Sequence, residues 1–296
     1  MTKQIKADIA LLLVTVGWGT SFILTKNTIS QMPTYNFLAI RFLLAFIISA
    51  IIFSKQMLKI GKKELKYGIM LGALLYGTYA FQTVGLNYTT ASKSAFITGF
   101  NVVLVPVFFT LLMKKRLDKK SYISVILAFI GLAFLTLNQN ISNINIGDVY
   151  TLICAFLCAF HIIFVGKYTV NVESISFAVI QIGTVGILSL ITSLMVEKPV
   201  IPSNYNAWIS IVILSVVCTS GAFIVQSVAQ NYTSPTHTAL IYTGEPVFAG
   251  IFAFIFIGEV LGLRGMIGAA LILVGMITSE VDFKTIFSKK NLGNSI

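Results

Sequence analysis

Glu245 is the side chain in this sequence best placed for chemistry. It stands inside the apolar run 238–257, where an ionisable group is costly and normally faces protein or water rather than lipid. Pro246 follows it; a proline removes one backbone hydrogen bond, can kink the helix and leaves a carbonyl free for a ligand. A carboxyl so placed can pair with a substrate amine or accept a proton, or it can be a hydrogen-bonded lock between two helices. His161, inside the run 149–166, offers substrate binding or proton relay, with a satisfied packing histidine as the plainer alternative. Gln82 and Gln226 carry amides that can hold a ligand or glue helices together. Trp18, Tyr79 and Tyr242 could line a cavity for apolar or cationic substrates, ordinary packing being the alternative for each. Lys26 and Arg41 stand near the outer ends of the first two apolar runs. They could form a polar gate with a carboxylate, or snorkel to lipid headgroups.

These side chains need a scaffold, and composition dictates its surroundings. Of 296 residues, 56% are hydrophobic and only 10% charged, against about 25% charged in ordinary soluble domains. Mean hydropathy is +0.90, so lipid rather than water must solvate the outer surface. Apolar runs cover 9–25, 36–53, 67–86, 94–113, 121–137, 149–166, 175–196, 207–229, 238–257 and 261–279. They predict an all-α membrane protein with ten transmembrane helices, each near the ~20 residues a bilayer requires. The runs are continuous, whereas barrel strands would alternate. Arg264 lies in the last run and would have to snorkel to the interface. The first run follows Lys3 and Lys6 as a secretory signal would, but it is long, lacks a small-residue cleavage pattern and leads straight into further spans. It reads as a retained helix. Three cysteines make no disulfide framework. Cys154 and Cys158 share a helical face without nearby His or Cys partners and read as small buried residues rather than a metal site. No metal and no cofactor is expected.

Charge placement sets orientation. Lys55, Lys59, Lys62, Lys63 and Lys66 lie between the second and third runs; Lys114, Lys115, Arg116, Lys119 and Lys120 lie between the fourth and fifth. Loops on the other side carry almost no basic charge. Because cytoplasmic loops retain Lys and Arg, both termini are expected in the cytoplasm, the tail with Lys284, Lys289 and Lys290 included. The net charge of +11 is therefore a topology signal with contacts to membrane lipids, and not a nucleic-acid patch.

The chain also repeats itself. A shift of 140 residues carries Asp8 onto Asp148 and Phe37 onto Phe177; a shift of 144 carries Gln82 onto Gln226 and Asn87-Tyr88-Thr89 onto Asn231-Tyr232-Thr233. The same shift carries Asn101 onto Glu245, so the two should face each other across a pseudo-axis. The expected units are 1–137, 148–280 and a cytoplasmic tail 281–296. Five spans per unit is an odd number, so the second unit enters the membrane from the opposite side. Such inverted repeats, meeting near the midplane, are the construction of secondary transporters. Asp8 and Asp148 begin spans in each repeat and are read as helix-dipole partners.

The sequence resembles the drug/metabolite transporter superfamily, specifically its EamA-type ten-helix members. The likeness lies in Trp18-Gly19 with Phe22 and Lys26, in Pro33, Ala39 and Arg41-Phe42, and in Asn231-Tyr232-Thr233, Glu245-Pro246-Val247, Gly258-Glu259 and Gly268 through Gly275. Lys114-Lys115 stands in the first repeat where the second has Gly258-Glu259. The resemblance implies a carrier that binds a small-molecule substrate, an amino acid or related amine, in a central cavity and moves it outward by alternating access. Protons could take part, and the plasma membrane is the expected location; the coupling ion and the oligomeric state are left open. A channel for small polar solutes is the alternative, although no filter motif is evident. No Walker A, H-E-x-x-H or G-x-S-x-G pattern is present, so an enzyme is not expected.

Overall fold

A computed structural model describes residues 2–114, 119–136, 145–202 and 204–280. The expected loop residues Lys115 and Arg116, most of the polar connection at 138–147 and the tail at 281–296 lie outside the described residues. Helices α1 (Lys3–Ile29), α2 (Thr34–Ile52), α3 (Ser54–Met57) and α4 (Lys62–Leu86) come first. Then follow α5 (Ala91–Gly99), α6 (Asn101–Leu112), α7 (Lys119–Thr136), α8 (Ile146–Tyr168) and α9 (Ser174–Val196). After them come α10 (Tyr205–Ser215), α11 (Ala222–Ala229), α12 (Pro235–Tyr242), α13 (Gly244–Ile257) and α14 (Leu263–Glu280). No strand occurs among the described residues.

Among the described residues, eight helical stretches are long and apolar enough to cross a membrane: Lys3–Ile29, Thr34–Ile52, Lys62–Leu86, Ala91–Leu112, Ile146–Asn171, Ser174–Val196, Tyr205–Ala229 and Pro235–Ile257. The other two expected spans contain shorter apolar helices, Tyr122–Leu135 and Leu263–Thr278. Arg264 falls in the first turn of α14, its guanidinium 5.6 Å from the centre of the Phe134 ring. The outer belt is apolar: Leu13, Ile51, Leu194, Phe254 and Phe256 are all well exposed. A surface of that kind belongs in lipid.

Helix ends inside such a body must find partners for their free N–H groups. Several use their own caps: Thr2 accepts from Ile5, Thr90 from Lys93 and Ser234 from His237. Two borrow a carboxylate from elsewhere. Glu197 accepts from the amides of Tyr35 and Asn36 at the start of α2, at 3.0 and 2.8 Å. Glu259 accepts from Ala91 and Ser92 at the start of α5, at 3.2 and 3.0 Å, where the helix dipole favours negative charge. Gly258 ends α13 with φ of +62°, a conformation that costs glycine least. A Cβ added there would meet nothing within 4 Å, so this glycine is a cap and not a packing surface.

Glycine does set the helix contacts elsewhere. A methyl added to Gly131 on α7 would stand 2.6 Å from the Gly268 carbonyl oxygen on α14, and one added to Gly268 would stand 2.6 Å from the Gly131 carbonyl oxygen. Gly183 receives the Phe46 ring and Gly186 receives Leu43, joining α2 to α9. Gly68 and Gly72 likewise admit Ile180 and Thr184. Such close backbone approach is what replaces the hydrophobic effect between helices in lipid.

The ends of the bundle can be told from side-chain contacts. Near the end of α1, Lys26 Nζ donates to the carbonyls of Leu86 and Thr89, just past the end of α4. Thr89 in turn donates to Asp148 at the start of α8, at 2.7 Å. At the opposite end, Tyr67 near the start of α4 stacks on Tyr168 at the end of α8, ring centres 4.3 Å apart. Helix α8 therefore begins where α1 and α4 finish.

Candidate functional site

Two membrane-crossing stretches are interrupted near their middles. In Ala91–Leu112 the interruption is Phe100, between α5 and α6; in Pro235–Ile257 it is Thr243, between α12 and α13. Asn101 and Glu245 stand within two residues of these interruptions. Pro246 has no N–H, so the Tyr242 carbonyl four residues earlier has no helical donor.

Glu245 is buried, and its carboxyl opens on a small central cavity lined also by Trp18, Ser21, Thr78, Tyr79, Gln82, Thr98 and Cys158. The cavity has about 40 Å³ of water-accessible volume, room for roughly three waters at ~10–15 Å³ each. No hydrogen bond joins the Glu245 side chain to any described residue. Gln82 reaches Thr98 Oγ1 at 3.4 Å. Trp18 is pinned by its Nε1, which donates to the Cys218 carbonyl at 2.9 Å. Its ring meets the edge of Tyr242 at 5.0 Å and tilts against Phe223 at 5.6 Å, and Phe223 continues to Tyr79 at 6.0 Å.

Other expected members stand back from the cavity. His161 meets Gln181 at 2.8 Å through Nε2 and turns its ring against Phe223, so it is one ring away. Gln226 donates to Gln230 at 3.2 Å while its Oε1 is buried without a partner among the described residues. The two repeat-related amides thus do not converge on one ligand position. Asn101 donates to the Thr98 carbonyl at 2.7 Å; its Oδ1 and the Tyr242 hydroxyl are also buried without partners among the described residues. Buried polar atoms are nearly always bonded, and these three are idle behind the cavity wall.

Lys26 and Arg41 are held by different partners. Lys26 is held by the carbonyls at one end of the bundle. Arg41 is 1% exposed and points inward; Nε donates to Thr219 at 2.8 Å, and the guanidinium lies 5.0 Å from the centre of the Tyr79 ring. A cation on an aromatic face in a desolvated place is held by the ring, so Arg41 is turned to protein and not toward lipid headgroups.

Sequence reasoning missed the segment that organises these contacts. Residues Val216–Gly221 form a π-helical turn between α10 and α11. Cys218 receives Trp18, Thr219 receives Arg41, and Ser220 meets Ser49 at 2.5 Å. A π-turn widens the helix and turns side chains and carbonyls out of register, and such turns recur at functional sites. The only signal in the sequence was a cluster of small polar residues, Cys218-Thr219-Ser220-Gly221, inside an apolar run. Thr78, Thr98 and Ser21 were equally visible as isolated hydroxyls, but nothing in the sequence brought them together.

The fold and cavity define a multi-pass membrane protein with a central polar site. The EamA-like transporter family model matches residues 5–137 and again residues 145–279. An uncharacterized transporter of Archaeoglobus fulgidus is 32% identical over 275 residues, covering 93% of this chain and 86% of its own. The uncharacterized transporter YyaM of Bacillus subtilis is 26% identical over 291 residues, 94% of each chain. A protein known by crystal structure superposes with a TM-score of 0.70 at 17% identity, over 97% of this chain and 98% of its own; at that identity the likeness concerns fold alone. This chain belongs to the EamA-like transporter family.

Proposed function

We propose that this protein is a secondary transporter for small amine-bearing metabolites, amino acids or related amines, working by alternating access in the plasma membrane. The observation that carries the reading is the Glu245 carboxyl, buried, without a hydrogen-bond partner among the described residues, and open to a cavity edged by Trp18, Tyr79 and Gln82. An ammonium group is the ligand that such an anion between aromatic rings would take, and Gln82, Thr98 and Thr78 supply hydrogen bonds for the rest of a small polar molecule. Protons compete for the same carboxyl, which gives a route to coupling. Outward transport and cytoplasmic termini follow from the family resemblance and the lysine-rich loops.

The architecture we propose is ten spans in two inverted repeats, 1–137 and 148–280, followed by the tail 281–296. Several contacts exchange partners under the two sequence shifts, and this supports it. Asn87 donates to Thr34 at 3.0 Å and Asn231 to Ser174 at 2.6 Å. Gly183 with Phe46 exchanges for Gly186 with Leu43, and Gly131 with Gly268 for Gly275 with Ser124. Contacts related in this way by a twofold exchange are what an inverted pair produces.

The test is transport into liposomes of labelled amino acids and amines, with and without a pH gradient. Glu245→Gln should insert normally and lose about tenfold or more of its transport, since a charge-assisted hydrogen bond is worth ~1.5–3 kcal/mol. A variant with wild-type kinetics at every pH would remove Glu245 from the site.

A further inference from the structure

The shift of 144 residues that aligns the two Asn-Tyr-Thr tripeptides carries Lys93 onto His237, and the shift of 140 carries Asp8 onto Asp148. Both corresponding pairs are made. Lys93 Nζ lies 2.6 Å from Asp148 Oδ2, and His237 Nε2 lies 3.3 Å from Asp8 Oδ2. The caps beneath them correspond too, Thr90 accepting from the Lys93 amide and Ser234 from that of His237. One cluster sits where α8 begins and the other where α1 begins, at opposite ends of the bundle.

The two clusters are in different conditions. Asp148 uses its second oxygen to accept from Thr89 Oγ1 at 2.7 Å, and the Thr89 carbonyl accepts from Lys26. At the other end the counterparts of that bonded pair, Asp8 Oδ1 and Thr233 Oγ1, are both buried without a hydrogen-bond partner among the described residues. Gly166 stands where Lys26 has its counterpart. A complementary donor and acceptor, idle in one cluster and joined in its twin, mark a contact that a second conformation makes, because leaving either unmade is costly.

We infer that Asp8, Thr233 and His237 form a gate that closes when His237 takes up a proton, the counterpart of the closed gate formed by Asp148, Thr89 and Lys93. The inference rests on the alternating-access reading above and adds its regulation. In the first gate the ion pair of Lys93 with Asp148 is made at 2.6 Å. Histidine, unlike lysine, exchanges its proton readily. The proton favours the closed form by charging the partner of Asp8, and closure is lost as pH rises. Helix α12 packs against α1, α6, α8 and α14. Besides Asp8, α1 brings Lys3 and Lys6, with Lys3 over the Tyr232 ring. Helix α8 ends in Lys167 over Tyr168, α14 brings Arg264 over Phe134, and α6 has no charged residue. The Glu280 side chain lies outside the described residues. Asp8 is thus the carboxylate that His237 meets.

The experiment measures the separation of nitroxide labels at Gln4 and Tyr232, one on each side of this gate, by dipolar spin resonance on the whole protein in lipid nanodiscs. Between about pH 8 and about pH 5 the short-separation population of the wild type should rise by about fivefold, the scale of a partly exposed ion pair. His237→Lys should hold the short separation at both pH values; His237→Gln and Asp8→Asn should hold the long one. Retention of the response in Glu245→Gln separates this gate from the substrate carboxyl. The measurement uses no substrate, so failure of the proposed transport activity would leave it readable. A wild type that keeps one separation across the range overturns the inference, as does a response that survives His237→Gln or a His237→Lys variant without the short form.

Discussion

Cys158 shares the cavity wall with Glu245, which makes a native thiol the natural reporter of what enters. The other two cysteines, Cys154 and Cys218, are buried and are not among the residues that line it. A small thiol-directed methanethiosulfonate should therefore block transport through Cys158, substrate should slow the block, and Cys158→Ser should resist it; inhibition kinetics on the two proteins decide the matter. Block that is unchanged in Cys158→Ser would mean the wall is misassigned. Glu245 was legible in the sequence because a carboxylate in an apolar run violates the cost of burying charge, and that violation has few explanations. Arg41 was not. Hydropathy gives the depth of a residue in a helix, but its direction around the axis depends on neighbours, and Thr219 and Tyr79 lie on distant segments. The same holds for His161 and Gln226, whose partners Gln181 and Gln230 only the packed structure identifies.

At the scale of elements, long apolar runs were enough to locate the helices, because lipid leaves the backbone no alternative to internal hydrogen bonds. The interruptions at Phe100 and Thr243 and the π-turn at Val216–Gly221 were illegible for a related reason: they change which atoms bond along the helix without changing how apolar it is. Small residues mark where helices touch, but not every glycine does so, as Gly258 illustrates. The distinction can be measured. Gly131→Ala sets a methyl 2.6 Å from one backbone carbonyl oxygen and 2.8 Å from the Ile272 nitrogen. Backbone cannot rotate away, so α7 and α14 must separate. Overpacking of this kind costs about 1–3 kcal/mol, and the thermal inactivation midpoint should fall by several degrees. In Gly17→Ala the nearest atoms are the Cys218 Sγ and a Val217 methyl, both 3.9 Å away, an ordinary contact, and the midpoint should hold or rise slightly as helix propensity improves. Equal midpoints for the two variants would mean that the α7–α14 contact is looser than its geometry.

For the whole molecule, the strongest sequence signal was the polar tripeptide that recurs at Asn87 and Asn231, since apolar matches arise by chance while a repeated Asn-Tyr-Thr does not. Its asparagines make equivalent bonds, to Thr34 and Ser174, at the first residues of α2 and α9. If the repeats are inverted, these two sites occupy opposite membrane faces although their local surroundings match. Orientation adds a direction: the lysines of 55–66 stand at the end of the bundle away from Asn87. In a cysteine-free background, a cysteine at Asn87 should react with an impermeant maleimide applied to intact cells. One at Asn231 should react only after the membrane is opened, and one at Ser54 should behave like Asn231. All three positions are exposed, so silence from one would reflect its side of the membrane rather than burial. Reaction of Asn231 and Ser54 but not Asn87 would keep the inversion and reverse the orientation. Reaction of both repeat-related cysteines from the same face would end the inverted-repeat reading, and with it the physical basis for opening one central cavity alternately to either side.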